Sequence, residues 1–494
     1  MIPNRTRNRV LTDRPVRQDA DFVLYWMTSA RRTRSNFALE RAVALAREHR
    51  KPLVVLEALR VGYQWANDRL HRFVIDGMAA NARQFAATPV TYLPYIEPAA
   101  GSGKGLVGAL SRYAAAVITD DYPAFFLPHM LAAAVKQVDA RFEAIDSNGI
   151  LPMRGAPKCF ATAFSLRAHL QSSLRDHIQT WPADISFDDL PRLKTLPADV
   201  IATWTFASAA DLASPAPLIA SLQIDHSVPP ADVEGGSAAA ERALAAFVSQ
   251  GLARYGDDRN QPSVQGTSRL SPYLHFGHIS AHDVFTAVMN AEKWTTRKLS
   301  AKGGGKREGW WGVSPNAEGF LDQLITWREL GFNMCVERPD DYDRYASLPG
   351  WARATLEQHA GDPRRYTYTR AEFEHAATHD PVWNAAEREL VQTGWMHNYL
   401  RMLWGKKILE WTTSPEEALD VMAGIMNKHA LDGRDPNSYT GYFWTLGRYD
   451  RPWFPERSIF GTIRYMSSDS TLKKLRMKPY LAKFGANLPF GPLV

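Results

Sequence analysis

Between residues 21 and 180, short apolar runs alternate with stretches of helical periodicity. DFVLYWM, PLVVLEAL, VTYLPY, AAVITDD and FEAID read as strands. SNFALERAVALAREHR, with Ser35 as N-cap, reads as a helix, as do HRFVIDGMAANARQFAA, GLVGALSRYAA and PHMLAAAVKQV. The alternation predicts a Rossmann-like α/β domain over 19–180, a parallel sheet with helices on both faces. Ligand-facing loops are expected at the carboxyl ends of its strands, after Met27 and Ala58. Residues 1–18, rich in Arg, Asn and Pro, read as a mobile arm. From 181 to 240 the alternation gives way to Pro, Asp and Ser, which predicts a connector wrapped over the surface. Periodic runs at 238–254, 279–293, 318–335, 384–411 and 415–428 then predict an all-α domain over 241–494.

Composition fits a globular chain of 494 residues, with 45% hydrophobic and 22% charged positions, long enough for two or three domains. The net charge of +6 suits a phosphate-backbone partner, although many basic proteins bind no nucleic acid. Cys159 and Cys335 are the only cysteines, which excludes a disulfide framework and a cysteine-rich metal site. No apolar run reaches the ~18 residues of a membrane span, and no signal-like segment opens the sequence. A cytoplasmic protein and a monomer are the expectations.

Tryptophan changes the picture. The chain has 15, crowded into its C-terminal half. Trp404 and Trp411 stand seven residues apart in a helical run, which places them on one face about 10.5 Å apart. That spacing suits rings that fill a core and equally rings that pass an electron. The GSGKG loop at 101–105 lacks the full phosphate-loop pattern and reads as a loop. TSRLSPYLHFG places Thr267, Ser268 and Ser271, with the amide of Leu270, before a helix, which suits an N-cap or a phosphate cradle. LDGRDPNSY reads as a turn.

THDPVWNAAERELV, RMLWGKKILEWT, LDGRDPNSYTG, FGTIRYM, TSRLSPYLHFGHIS, FLDQLITWRELGFN and VLYWMTSARRTRSNFALERAVALA together resemble the class II cyclobutane pyrimidine dimer (CPD) DNA photolyases, in order and over nearly the whole chain. The resemblance implies the photolyase/cryptochrome architecture, an FAD cofactor, UV-damaged DNA as partner and light-driven dimer repair. It leaves open an antenna pigment, a deazaflavin or a folate, in the N-terminal domain. By the same resemblance Tyr255, Thr267, Ser268, Leu270 and Ser271 cradle the FAD diphosphate. Asp432 and Asp435 face the flavin's polar edge, with Arg401 paired to Asp432. Trp404 is nearest the flavin, Trp383 the middle station and Trp411 the exposed end of a photoreduction chain. Trp327 and Trp444 pack against the lesion, and Arg451 fills the bubble left in the duplex.

This sequence departs from the family in three places. Gln323 stands where a glutamate is usual; it donates a hydrogen bond but no proton to a developing radical anion. Met426 falls, without a gap, where an asparagine faces flavin N5, with Asn427 one residue later; a thioether is a weak acceptor and no donor. Trp395 replaces a usual lysine. A cryptochrome-like photoreceptor without repair activity, or a flavin photoenzyme acting on another substrate such as the 6-4 photoproduct, are the alternative readings. No metal site is expected.

Overall fold

The computed structural model describes residues 6–485. They divide into two compact units whose borders cross the expected ones. The first comprises 1–157, 172–246 and 269–293; the second comprises 158–171, 247–268 and 294–494.

The first unit is built on a six-stranded sheet: β1 (Asn8–Thr12), β2 (Phe22–Met27), β3 (Leu53–Leu59), β4 (Thr91–Ile96), β5 (Ala114–Asp120) and β6 (Arg141–Ile145), in the order β1-β6-β5-β2-β3-β4. β2 to β6 pair in parallel, and every residue of β2 and β5 is buried, as expected of strands covered on both faces. β1 corrects the reading of 1–18 as a mobile arm: Asn8–Thr12 pairs antiparallel with β6, and Arg7 donates to the carbonyls of Gly149 and Ile150. Residues 1–5 of that arm lie outside the described residues.

The stretch 181–240 belongs to this unit and is more ordered than a plain connector. It carries helices Ala198–Thr203, Ala209–Ala213 and Pro215–Ala220, and it buries Phe187, Leu190, Val200, Leu212, Ile219 and Leu222 in the unit's apolar clusters. Apolar residues spaced between its prolines supply that anchorage. The strand ends are closed by carboxylates. The loop after Met27 turns the amides of Thr28, Ser29 and Ala30 onto Asp120 at 2.7, 2.8 and 3.0 Å. In GSGKG the amides of Gly101 and Gly103 are taken by Glu97 at 2.9 and 3.1 Å, so the loop's donors serve a side chain of the same unit.

The second unit is helical. Asp380 caps Pro381–Thr393 by accepting from Val382 and Trp383, with Pro381 in the first turn. The periodic run 384–411 is two helices, because Gly394 (φ +71°) ends the first in a left-handed turn and Asn398–Trp411 starts afresh. Gly405 lets the second helix approach Pro436–Thr445: a Cβ there would lie 2.6 Å from the Thr445 side chain. The run 318–335 is Pro315–Leu321, a π-type turn at Asp322–Trp327 and Arg328–Glu337. The expected 238–254 helix likewise gives way at Phe247–Gly251 to a π-type turn.

Candidate functional site

Trp383 lies between the two tryptophans that the helical spacing picked out. Its ring stacks on Trp404 at 6.2 Å with 7° between planes, and meets Trp411 at 5.9 Å and 66°. Its indole N–H donates to the Trp404 carbonyl at 3.1 Å, which fixes the stack. The three rings are contiguous only because the chain reverses at Gly394 and brings the Pro381–Thr393 helix against Asn398–Trp411. Trp411 corrects one expectation. It is buried, at 2% exposure, under Phe373, Tyr368 and His379. Tyr368 and His379 form the outer layer, with the tyrosine hydroxyl 2.6 Å from His379 Nδ1.

The LDGRDPNSY turn folds back on the Pro415–His429 helix through Arg434. At φ +66° this residue turns its amide to Asn427 Oδ1 (2.8 Å) and its guanidinium to the carbonyls of Asn427, Ala430 and Leu431, the open end of that helix. Tyr442 adds a second donor to Asn427 Oδ1 at 2.9 Å. Asn427 is fully buried, and with its oxygen so held its Nδ2 has no partner among the described residues. A buried amide nitrogen left open is costly without an acceptor, so this geometry marks a position where a ligand acceptor fits. Met426, beside it, is also buried.

Arg401 donates to Asp432 at 2.8 Å and to the Met396 carbonyl at 3.0 Å. Asp435 caps Pro436–Thr445, accepting from the Asn437 amide. Tyr255 is buried against Phe247 and Phe320, and burial raises its phenol pKa. The TSRLS segment divides: Thr267 and Ser268 belong to the second unit, Leu270 and Ser271 to the first. Leu270 is buried, and Ser271 opens the five-residue helix Ser271–His275.

Gln323 and Trp327 sit half-buried on the π-type turn. Its first residue, Asp322, is clamped by Arg167, whose Nε and Nη2 reach the two carboxylate oxygens at 2.7 and 3.2 Å. Trp444 is half-buried between two cations: Lys406 Nζ lies 5.0 Å and the Arg464 guanidinium 5.5 Å from its ring centre. Arg464 also covers Trp453 at 3.9 Å and holds Asp450, while exposed Arg451 lies over Trp453 at 4.9 Å. Among the described residues, no group of three or more His, Cys, Asp or Glu side chains is placed to hold a metal ion, and no helix is long and apolar enough to cross a membrane.

No family model matches the chain. A deoxyribodipyrimidine photo-lyase of Methanothermobacter thermautotrophicus is 32% identical over 467 residues, covering 93% of this chain and 94% of its own length. The chain belongs to the deoxyribodipyrimidine photo-lyase family. Photo-lyases of Oryza sativa subsp. japonica (33% identity, 93% of this chain and 87% of theirs) and Potorous tridactylus (30%, 97% and 84%) agree. Among solved structures, a bacterial class III photolyase from Agrobacterium tumefaciens aligns with TM-score 0.66 at 16% identity, over 94% of this chain and 86% of that one, which shows the shared fold.

The photo-lyase family implies an FAD cofactor, and the residues present fit one: the open Asn427 amide, the Arg401–Asp432 pair and the stacked tryptophans lie within one helical unit. Sequence reasoning missed Arg434, Arg167 and Lys406. Each acts through a partner far along the chain or on a neighbouring turn, and only the odd buried charge would have flagged it. Lys406 is fully buried with its ammonium on the Thr445 carbonyl at 2.6 Å, and burial pulls its pKa down to about 7. The unfolded lysine holds its proton to about 10.4. Between these values the unfolded chain binds more protons, so the stability of this photo-lyase rises with pH, and below about 7 the cost of the buried charge is fully present. Urea unfolding of Lys406→Met against wild type is expected to show this contribution vanish, a difference in slope on the order of 1.4 kcal/mol per pH unit above pH 7. Parallel stability profiles would mean that the ammonium is solvated.

Proposed function

We propose that this chain is a class II type photolyase that repairs cyclobutane pyrimidine dimers in DNA by light-driven electron transfer. The observation that carries the reading is the contiguous Trp404–Trp383–Trp411 series of rings, in the same unit as the open amide of Asn427 and the Trp444 cation–aromatic cluster. Bound FAD, once reduced, supplies the photoexcited electron that opens the cyclobutane ring. In this reading Asn427, rather than Met426, presents its N–H to the flavin, and Asp432 and Asp435, the former steadied by Arg401, form the polar edge. Tyr255, Thr267 and Ser268, all of the helical unit, hold the diphosphate. Trp404, Trp383 and Trp411 relay electrons that restore the reduced cofactor. Trp327 and Trp444 pack against the extruded dinucleotide, whose poor pairing lowers the cost of flipping, and Arg451 fills the vacated duplex. Gln323 donates a hydrogen bond to a dimer carbonyl and transfers no proton.

The test is repair of a CPD-containing oligonucleotide by photoreduced protein under light, followed by recovery of thymine absorbance. Recovery is expected, and Gln323→Glu is expected to raise the yield per photon severalfold, as a proton donor would. Gln323 is also the observation that favours the second reading, a cryptochrome-like photoreceptor. No recovery from protein that binds and photoreduces FAD would sink repair in favour of that reading.

A further inference from the structure

Glu387 follows Trp383 by one helical turn, so both side chains point toward the Asn398–Trp411 helix. Its carboxyl is fully buried. Oε2 accepts the indole N–H of Trp404 at 2.5 Å, and Oε1 has no partner among the described residues. Burial raises its pKa well above the ordinary carboxylate range; the Trp404 N–H offsets part of this, and Glu374 adds to it. A carboxylate at this position is therefore an unusually strong base, aimed at a single proton.

That proton changes character when Trp404 is oxidised. Removing an electron from an indole leaves positive charge on the ring nitrogen, and the N–H becomes a strong acid. We propose that Glu387 is the proton acceptor of oxidised Trp404, and that its ionisation decides whether the electron hole is held at Trp404 or passes on to Trp383. The inference rests on the reading above that Trp404 is the flavin's neighbour. The oxidant is photoexcited oxidised flavin, which takes one electron from Trp404. The Nε1–H bond breaks and an O–H bond forms at Glu387 Oε2, leaving a neutral indolyl radical beside a neutral carboxylic acid. An electron returning to the indole, from the flavin or from Trp383, carries the proton back to Nε1. Where Glu387 already holds a proton, the step has no acceptor. The Trp404 radical cation then persists until Trp383, stacked at 6.2 Å, reduces it.

Most charges on the surrounding elements are committed to other partners. On the adjoining Arg370–Glu374 helix, Glu374 is met by Lys428 and His429 of the Pro415–His429 helix at 2.7 Å each. Although burial opposes it, those two donors hold the Glu374 pKa down at about 2, so this carboxylate stays charged through the neutral range. On Glu387's own helix, Arg388 donates to the Phe484 and Gly485 carbonyls, and Glu389 accepts from Tyr480 and the His397 amide. On the Trp404 helix, Arg401 holds Asp432, Lys406 the Thr445 carbonyl and Lys407 Glu410. The Lys478–Phe484 helix contributes Lys478 and Lys483. His429 meets Glu374, and replacing Glu387 by Gln leaves that contact in place.

The experiment is flash photolysis of the full-length protein with oxidised FAD bound, across neutral to alkaline pH, reading the distinct absorption bands of the tryptophan radical cation and neutral radical. In wild type the prompt neutral-radical fraction is expected to rise with pH along a one-proton curve, about tenfold per pH unit below its midpoint. Infrared difference spectra should gain a carboxylic acid C=O band in step. Glu387→Gln keeps an acceptor for the indole N–H and keeps His429, and is expected to give the cation alone at every pH. An unchanged neutral-radical yield in that variant, or one flat with pH in wild type, overturns the proposal. If the variant folds poorly, wild type decides: a deuterium isotope effect on neutral-radical formation, independent of buffer concentration, supports an internal acceptor, and buffer dependence refutes it. Trp404→Phe separates the two readings. If it leaves flavin photoreduction unchanged, the placement of Trp404 beside the flavin falls, and the proposal with it.

Discussion

Trp404→Phe is expected to slow light-driven reduction of the bound flavin by about a hundredfold or more, equivalent to roughly 2.7 kcal/mol of added barrier. Trp404 is one end of the ring series, with Trp383 6.2 Å from it and Trp411 a further 5.9 Å away. Phenylalanine keeps an aromatic ring in a site of 2% exposure but is smaller and far harder to oxidise, so the remaining tryptophans must donate across a ring that no longer takes part. The variant also strips Glu387 of its hydrogen-bond donor. A stability loss of about 1–3 kcal/mol should accompany it, because the carboxyl is buried with nothing else to bond. Two assays separate these effects. Flavin bleaching under blue light, with an external reductant present, reads the electron route; repair by chemically reduced variant reads the lesion site. Lost bleaching with retained repair is the expected pair. Bleaching at the wild-type rate would remove the stack from the electron route.

The second large effect is in the clamp on the Asp322–Trp327 turn. Arg167→Met is expected to cost about 3 kcal/mol of unfolding free energy, because it leaves the buried Asp322 carboxylate without its bidentate partner and with the largely exposed Arg307 3.9 Å away. Asp322 and Arg167 are each 7% exposed, and Arg167 also donates to the Gly305 carbonyl at 3.0 Å. Asp322 begins the turn that carries Gln323 and Trp327, so the loss should reach function as weaker binding of damaged DNA. Urea unfolding measures the first effect and lesion-oligonucleotide titration the second. Arg167→Met combined with Asp322→Leu should recover much of the stability, since it removes the poorly compensated buried charge. A single-variant loss under about 1 kcal/mol would show that water reaches the pair.

The sequence alone carried the alternation of apolar runs that became β2 to β6, because a strand covered on both faces must be apolar throughout. It also carried the helical character of the C-terminal half and the residues on which the family resemblance stands. Those properties are local, or follow from the order of residues along the chain. What the sequence misjudged depended on distant partners. Asn8–Thr12 looked like a free arm because a strand at a sheet edge needs the neighbouring β6 to exist. The resemblance put Trp411 at an exposed end, whereas Phe373, Tyr368 and His379, from another segment, cover it. Helical spacing linked Trp404 to Trp411 and left their contacts with Trp383 to the reversal at Gly394. The hydrogen bonding of the Asn427 amide was likewise beyond the sequence. Only the tertiary structure shows Arg434 and Tyr442 occupying one side of the Asn427 amide and leaving the other open, because a hydrogen-bonding direction is set by the groups folded around it.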